Sequence, residues 1–203
     1  MTKNTSKILA LIVATSIPAK VLSAPEDCAK IGDNSARLVC YDDLFGVQKT
    51  HTPVTQSKWK KTVNQNAMTD TKDVFLTLQS DDPVKGKYTG TGYGILYIRC
   101  MEDTTAIQFR VADHFLADIQ GYGKVEYRLD ESSMQSRNFQ ESTNNETLGL
   151  WRGSQAIPFI KPMLGKDRMI VRITPFNNSP ILMTFSISQI ETEIVELRET
   201  CKW

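Results

Sequence analysis

Histidine is scarce in this chain, with only His51 and His114 among 203 residues. Two separated histidines form no metal-ligand cluster, and the adjacent acids Asp42-Asp43 and Asp81-Asp82 suit a helix end and a turn. No Gly-x-Ser-x-Gly elbow marks a nucleophile. His114 has Asp113 beside it, a pair that could serve as a base, but nothing in the sequence supplies a nucleophile for it to activate. We therefore expect no enzymatic activity, no cofactor and no metal. An excess of one charge is also missing, since 24 basic residues face 23 acidic ones. Nucleic acid demands a basic footprint, so no nucleic-acid partner is expected. The only long apolar run is residues 8–17, too short to span a bilayer.

That run has a use of its own. Lys3 and Lys7 precede it and small residues follow, the pattern of an export signal. Cleavage after Ser23, with Val21 and Ser23 at the small-residue positions, avoids placing Pro25 first. The sequence before Cys28 is no lipid-attachment box, and no membrane span is expected once the signal is cut. Lys3, Lys7 and Lys20 leave with the signal, so 21 basic and 23 acidic residues remain, a formal charge of −2. Four cysteines, all beyond the signal, suit an oxidising compartment. The expected product is a soluble periplasmic protein of one domain's size with two disulfides.

Cys28 and Cys40 are close enough to staple a short helical hairpin over residues 24–46. Asp33 or Asn34 can cap its second helix and Gly46 can end it, with Leu38, Tyr41 and Phe45 on one face. A metal pair is the other reading of two such cysteines, but no histidine is near them. Residues 47–57 are polar and read as a linker, with His51 solvated inside it. From residue 58 the pattern turns to period two. Apolar residues alternate around Val74–Leu76–Leu78, through Ile95–Cys100, Thr105–Val111, Val125–Leu129, Met169–Ile173 and Ile181–Ile187. Six strands with gaps too short for crossover helices predict a mainly β fold, an antiparallel β-sandwich or a curved sheet. Residues 131–149 form the longest irregular stretch and read as a functional or mobile loop.

Two helices are expected within this β-rich domain of residues 58–203. Residues 154–164 put Ile157, Ile160 and Leu164 on one face, which requires Pro158 in the first turn. Ser188-x-x-Glu191 reads as a capping box before a last helix whose stripe is Ile190, Ile194, Leu197 and Cys201. That stripe points Cys201 inward, toward Cys100 at the end of the central strand.

Candidate binding residues are few. Gly90-Thr91-Gly92-Tyr93-Gly94 looks like a phosphate loop, but it precedes a strand where such loops open a helix, so a hairpin fits better. Arg128 and Asp130 share one face of their strand and could join Trp151, Ser142 and Thr143 in a partner-binding surface. The plainer reading makes that face solvated and the tryptophans core or rim.

The order of short motifs resembles the TagO/VasI family of periplasmic proteins associated with type VI secretion. Among them are Arg37-Leu38-Val39-Cys40-Tyr41-Asp42, Lys58-Trp59, Ile98-Arg99-Cys100, Val125-Glu126-Tyr127-Arg128-Leu129-Asp130 and Glu141-Ser142-Thr143. Leu148-Gly149-Leu150-Trp151, Ala156-Ile157-Pro158-Phe159, Arg172-Ile173-Thr174-Pro175-Phe176 and Cys201-Lys202-Trp203 continue it. The family pattern has Gly-Leu where this chain has Gln189-Ile190, which leaves the approach to the last helix open. The resemblance implies a non-enzymatic accessory protein whose partner is an envelope protein or part of the secretion apparatus. A module binding peptidoglycan or another glycan is the alternative.

Overall fold

The computed structural model describes residues 25–45, 57–68, 70–88, 90–117 and 123–203. The expected signal, Gly46, His51 and nearly all of the expected linker lie outside them. The chain divides into two compact units, Met1–Thr55 and Gln56–Trp203.

The described residues of the first unit form a helical hairpin, α1 (Pro25–Ala29) and α2 (Asn34–Leu44). Asp33 caps α2, its carboxylate accepting the Ala36 amide at 2.8 Å. Cys28 and Cys40 are bonded, with their Cα atoms 5.5 Å apart. The stripe of Leu38, Tyr41 and Phe45 is largely outward: Tyr41 stacks on Phe45, while Leu38 and Phe45 are exposed.

The second unit contains nine strands among its described residues. They are β1 (Lys60–Gln65), β2 (Lys72–Lys85), β3 (Thr91–Met101), β4 (Thr104–Val111) and β5 (Gly123–Leu129). β6 (Gln135–Glu141), β7 (Thr147–Leu150), β8 (Arg168–Ile173) and β9 (Ile181–Ser186) complete the set. All neighbours are antiparallel, in the order β1-β2-β3-β4-β7-β6-β5-β8-β9. Period two buries one face of each long strand, and the sheet curls around those faces. Phe109 of β4 therefore meets both Phe139 of β6 and Phe185 of β9, at ring distances of 5.6 and 6.1 Å. The two ends of the curl are joined where Ser186 of β9 donates to Asp81 of β2. The fold is mainly β, as the alternation indicates, and it takes the form of a curved sheet.

Residues 131–149 are not a loop: they hold β6, β7 and the short turn between them. β2 also runs further than the alternation suggests, through Pro83. A bulge between Gln79 and Pro83 removes the need for a ladder donor there. The Ser80 hydroxyl stitches that bulge, accepting from the Gly94 amide and donating to the Asp82 carbonyl. The glycine-rich stretch lies in the β2–β3 hairpin and the start of β3.

α3 (Gly153–Ile160) packs across β4 and β7, with a short 3-10 turn (Lys161–Met163) after it. Its buried face is Ala156, Phe159, Ile160 and Met163 rather than the expected Ile157, Ile160 and Leu164. Pro158 lies past the first turn, which is tolerated because the α-helix gives way to the 3-10 turn within a few residues. The expected capping box is absent. Gln189 is in the left-handed region, φ +66°, at the start of α4 (Ile190–Glu193), while Glu191 accepts instead from the Gly165 amide. α5 (Val195–Thr200) follows after Ile194. Ile190, Ile194 and Leu197 are buried as the stripe predicts, and Cys201 is bonded to Cys100. Closing this loop, 101 residues apart in sequence, stabilises by about 4.7 kcal/mol in the chain-entropy model.

Candidate functional site

Sequence reasoning singles out five residues for partner contact, and the fold places them in two separate settings. Arg128 and Asp130 are at the end of β5. The strand stops at Leu129, and Asp130 turns with φ +44°. Its carboxylate accepts from the amides of Asp167 and Arg168 at 3.1 and 2.9 Å, and Lys166 lies 3.6 Å away. The Arg168 amide above all holds this carboxyl below the usual range, against a smaller opposing effect of burial. Arg128 donates to the Asp130 carbonyl and pairs with Glu131, which also binds Arg168. Next to them, the Arg172 hydrogen bond lowers the Glu126 carboxyl in the same way. Every charge here is engaged in holding β5, β8 and the turn before β8.

Ser142, Thr143 and Trp151 lie together. β7 pairs with β4 through Gln108↔Gly149, and its outward face carries Thr147, Gly149 and then Trp151. The indole lies back over the sheet: a Cβ on Gly149 would sit 2.5 Å from its ring. Its Nε1 donates to the Gln140 carbonyl at 3.2 Å, which fixes the ring plane. The guanidinium of Arg99, on the outward face of β3, is 5.7 Å from the ring centroid. The β6–β7 turn closes the side. Ser142 donates to Asn144 and accepts the Thr147 amide, and Asn145 takes φ +58°, which asparagine tolerates. Arg99, Gln108, Glu141, Ser142, Thr143 and Trp151 are among the residues that line a cleft of about 500 Å³.

Two groups in this cleft are left without the partners their chemistry requires. Glu141 has a carboxylate oxygen that is buried and accepts no hydrogen bond. Arg99 has no carboxylate partner among the described residues, its one bond there being a weak contact of 3.9 Å to the Met101 sulfur. They do not pair with each other. Sequence reasoning missed both, along with Gln108. The signal was in the alternation, because Arg99 and Gln108 are polar on strands whose alternate positions are core.

His114 is buried. Its Nε2 bonds the Lys85 carbonyl at 2.8 Å and Asn178 contacts Nδ1 at 3.3 Å. With Nε2 donating to a carbonyl, Nδ1 accepts from the Asn178 amide, and both nitrogens are committed to joining loops. A second cleft, of about 660 Å³, lies where Ser57–Lys60 meets the outer face of β2 and β3, beside Tyr93 and Ile95. No described helix is long and apolar enough to cross a membrane.

A search of curated proteins gives no significant match. Among solved structures, the fold is similar to the crystal structure of invasion-associated protein B from Bartonella henselae, with a TM-score of 0.46 at 8% identity. The alignment covers 73% of this chain and 98% of that one. The family model "Type VI secretion system VasI, EvfG, VC_A0118" matches residues 27–203, which takes in both disulfides, the curved sheet and the cleft. The chain belongs to this VasI family of type VI secretion-associated proteins.

Proposed function

We propose that this chain is a non-enzymatic accessory protein of the periplasm that binds an envelope protein or secretion component through the Arg99–Trp151 cleft. The observation that carries this reading is the cleft's pair of unpartnered charges beside a fixed indole. A partner that meets the open hydrogen-bonding capacity of these two charged groups gains about 1.5–3 kcal/mol per bond. The disulfides favour an oxidising compartment. His114 favours a structural role, since neither ring nitrogen is free to take a proton from a substrate. Co-purification from envelope fractions under native expression tests the proposal. Wild type should recover a secretion or envelope component and Trp151→Ala should lose it; recovery of none by wild type contradicts the reading.

A second reading is peptidoglycan or another glycan as the ligand, favoured by the exposed Thr143 and Asn144 next to the indole. Pull-down with purified sacculi separates the two, and unchanged binding by Trp151→Ala removes this surface from the glycan reading.

A further inference from the structure

The cleft's two unpartnered groups specify opposite hydrogen-bonding needs. Arg99 has only donors, and its planar fork matches a carboxylate in two parallel bonds. Its guanidinium carbon lies over the Trp151 ring at 5.7 Å from the centroid, a cation–π contact that uses none of its N–H donors. Glu141, as a carboxylate, only accepts: Oε2 is buried out of a ligand's reach, while Oε1, the accessible oxygen of this cleft-lining residue, has no donor among the described residues. Gln108 accepts from the Thr147 hydroxyl at 3.2 Å, and its amide nitrogen has no partner among the described residues. Gly149, opposite Gln108, lets the Trp151 indole lie flat over the sheet and so forms one wall of the cleft.

A ligand answering all of this carries a terminal carboxylate and, a few ångströms away, an amide N–H. We infer that the cleft captures the carboxy-terminal end of a peptide. Arg99 receives the carboxylate, Glu141 accepts a backbone N–H of the peptide, and Gln108 donates to a peptide carbonyl. A cleft of about 500 Å³ accommodates a few residues of such an end. A neutral glycan has no carboxylate for Arg99, so its chemistry fits less of the site. This inference rests on the binding role proposed above and narrows it to one ligand chemistry. That chemistry has two sources, the L-residue terminus of a protein and a wall peptide ending in D-residues.

The test uses the full mature protein and four probes: N-acetylated tri-L-alanine and a D-alanyl-D-alanine-ended tripeptide, each as free acid and as carboxamide. Binding is followed by the amide and indole NMR signals of Trp151, with chitotetraose as a fifth probe. A free acid should bind at least about tenfold tighter than its carboxamide, the size of one charge-assisted bond. Arg99→Gln should abolish that preference, and Glu141→Gln should weaken acid and carboxamide alike. Preference for the L or D acid then names the source. Equal binding of acid and carboxamide, binding of chitotetraose alone, or no Trp151 response to any probe overturns the inference. If the peptides fail while Trp151→Ala still loses a co-purified partner, the binding role stands and the carboxylate reading falls. If the peptides bind and nothing co-purifies, the reverse holds.

Discussion

The Asp130 turn and the Trp151 cleft are both polar, both partly exposed, and both suggested by the sequence as contact surfaces. They differ in what their charges are doing. Asp130 collects two backbone amides and an ammonium, and Arg128, Glu131 and Arg168 form a linked set around it. In the cleft, Arg99 and Glu141 both line the wall yet pair neither with each other nor with another ionic partner among the described residues. The difference separates polar groups that hold the fold from polar groups available to a ligand.

The comparison breaks most visibly at Asp130. Asp130→Ala strands two amides that now bond a charged acceptor, and should cost about 3 kcal/mol in denaturant unfolding. Its effect on partner recovery should be nil. Acid sharpens the same point. Because Asp130 and Glu126 have folded pKa values below their ordinary ones, the folded state holds fewer protons than the unfolded chain. Their stabilisation is therefore complete above the ordinary carboxylate range and disappears as pH falls through the lowered values. Melting temperature should fall on acidification below about pH 4, and Asp130→Asn should flatten that slope.

On the cleft side, Gly149→Ala drives a methyl into the indole. It should cost about 2 kcal/mol by overpacking and also lower ligand binding, since Trp151 must move. Away from both regions, Gln189→Gly removes the strain of a left-handed residue together with the contacts of its side chain and should leave binding unchanged, the sign of the stability change weighing one against the other. A destabilisation there would mean that the Gln189 side chain does more for the fold than its backbone strain costs.

Much of the curved sheet was legible because its long strands bury every second residue. β1 escaped notice because every residue of it is exposed, so no alternation marks it. β6 buries only Phe139 and β7 has four residues, which is why their segment read as a loop. The last helix was visible in its stripe, yet its start was misread: Ser188 and Glu191 have the spacing of a capping box, and the left-handed Gln189 prevents them from forming one. The departure from the family's glycine at this position pointed to the place but not to the outcome. The cleft was half legible. Ser142, Thr143 and Trp151 stood out as polar or aromatic residues on an irregular stretch. Arg99, Gln108 and Glu141 join them only through strand pairing across β3, β4, β7 and β6, and a single sequence does not reveal that register.

The central claim is most directly tested by comparing Asp130→Ala and Arg99→Gln in one experiment that records both unfolding free energy and recovery of the native partner. Asp130→Ala should unfold early and keep the partner. Arg99→Gln should unfold within about 0.5 kcal/mol of wild type, as a surface substitution does, and lose the partner. The contrary result, with Arg99→Gln retaining the partner and Asp130→Ala losing it while still folded, would place recognition at the β5 turn and empty the cleft of its proposed role.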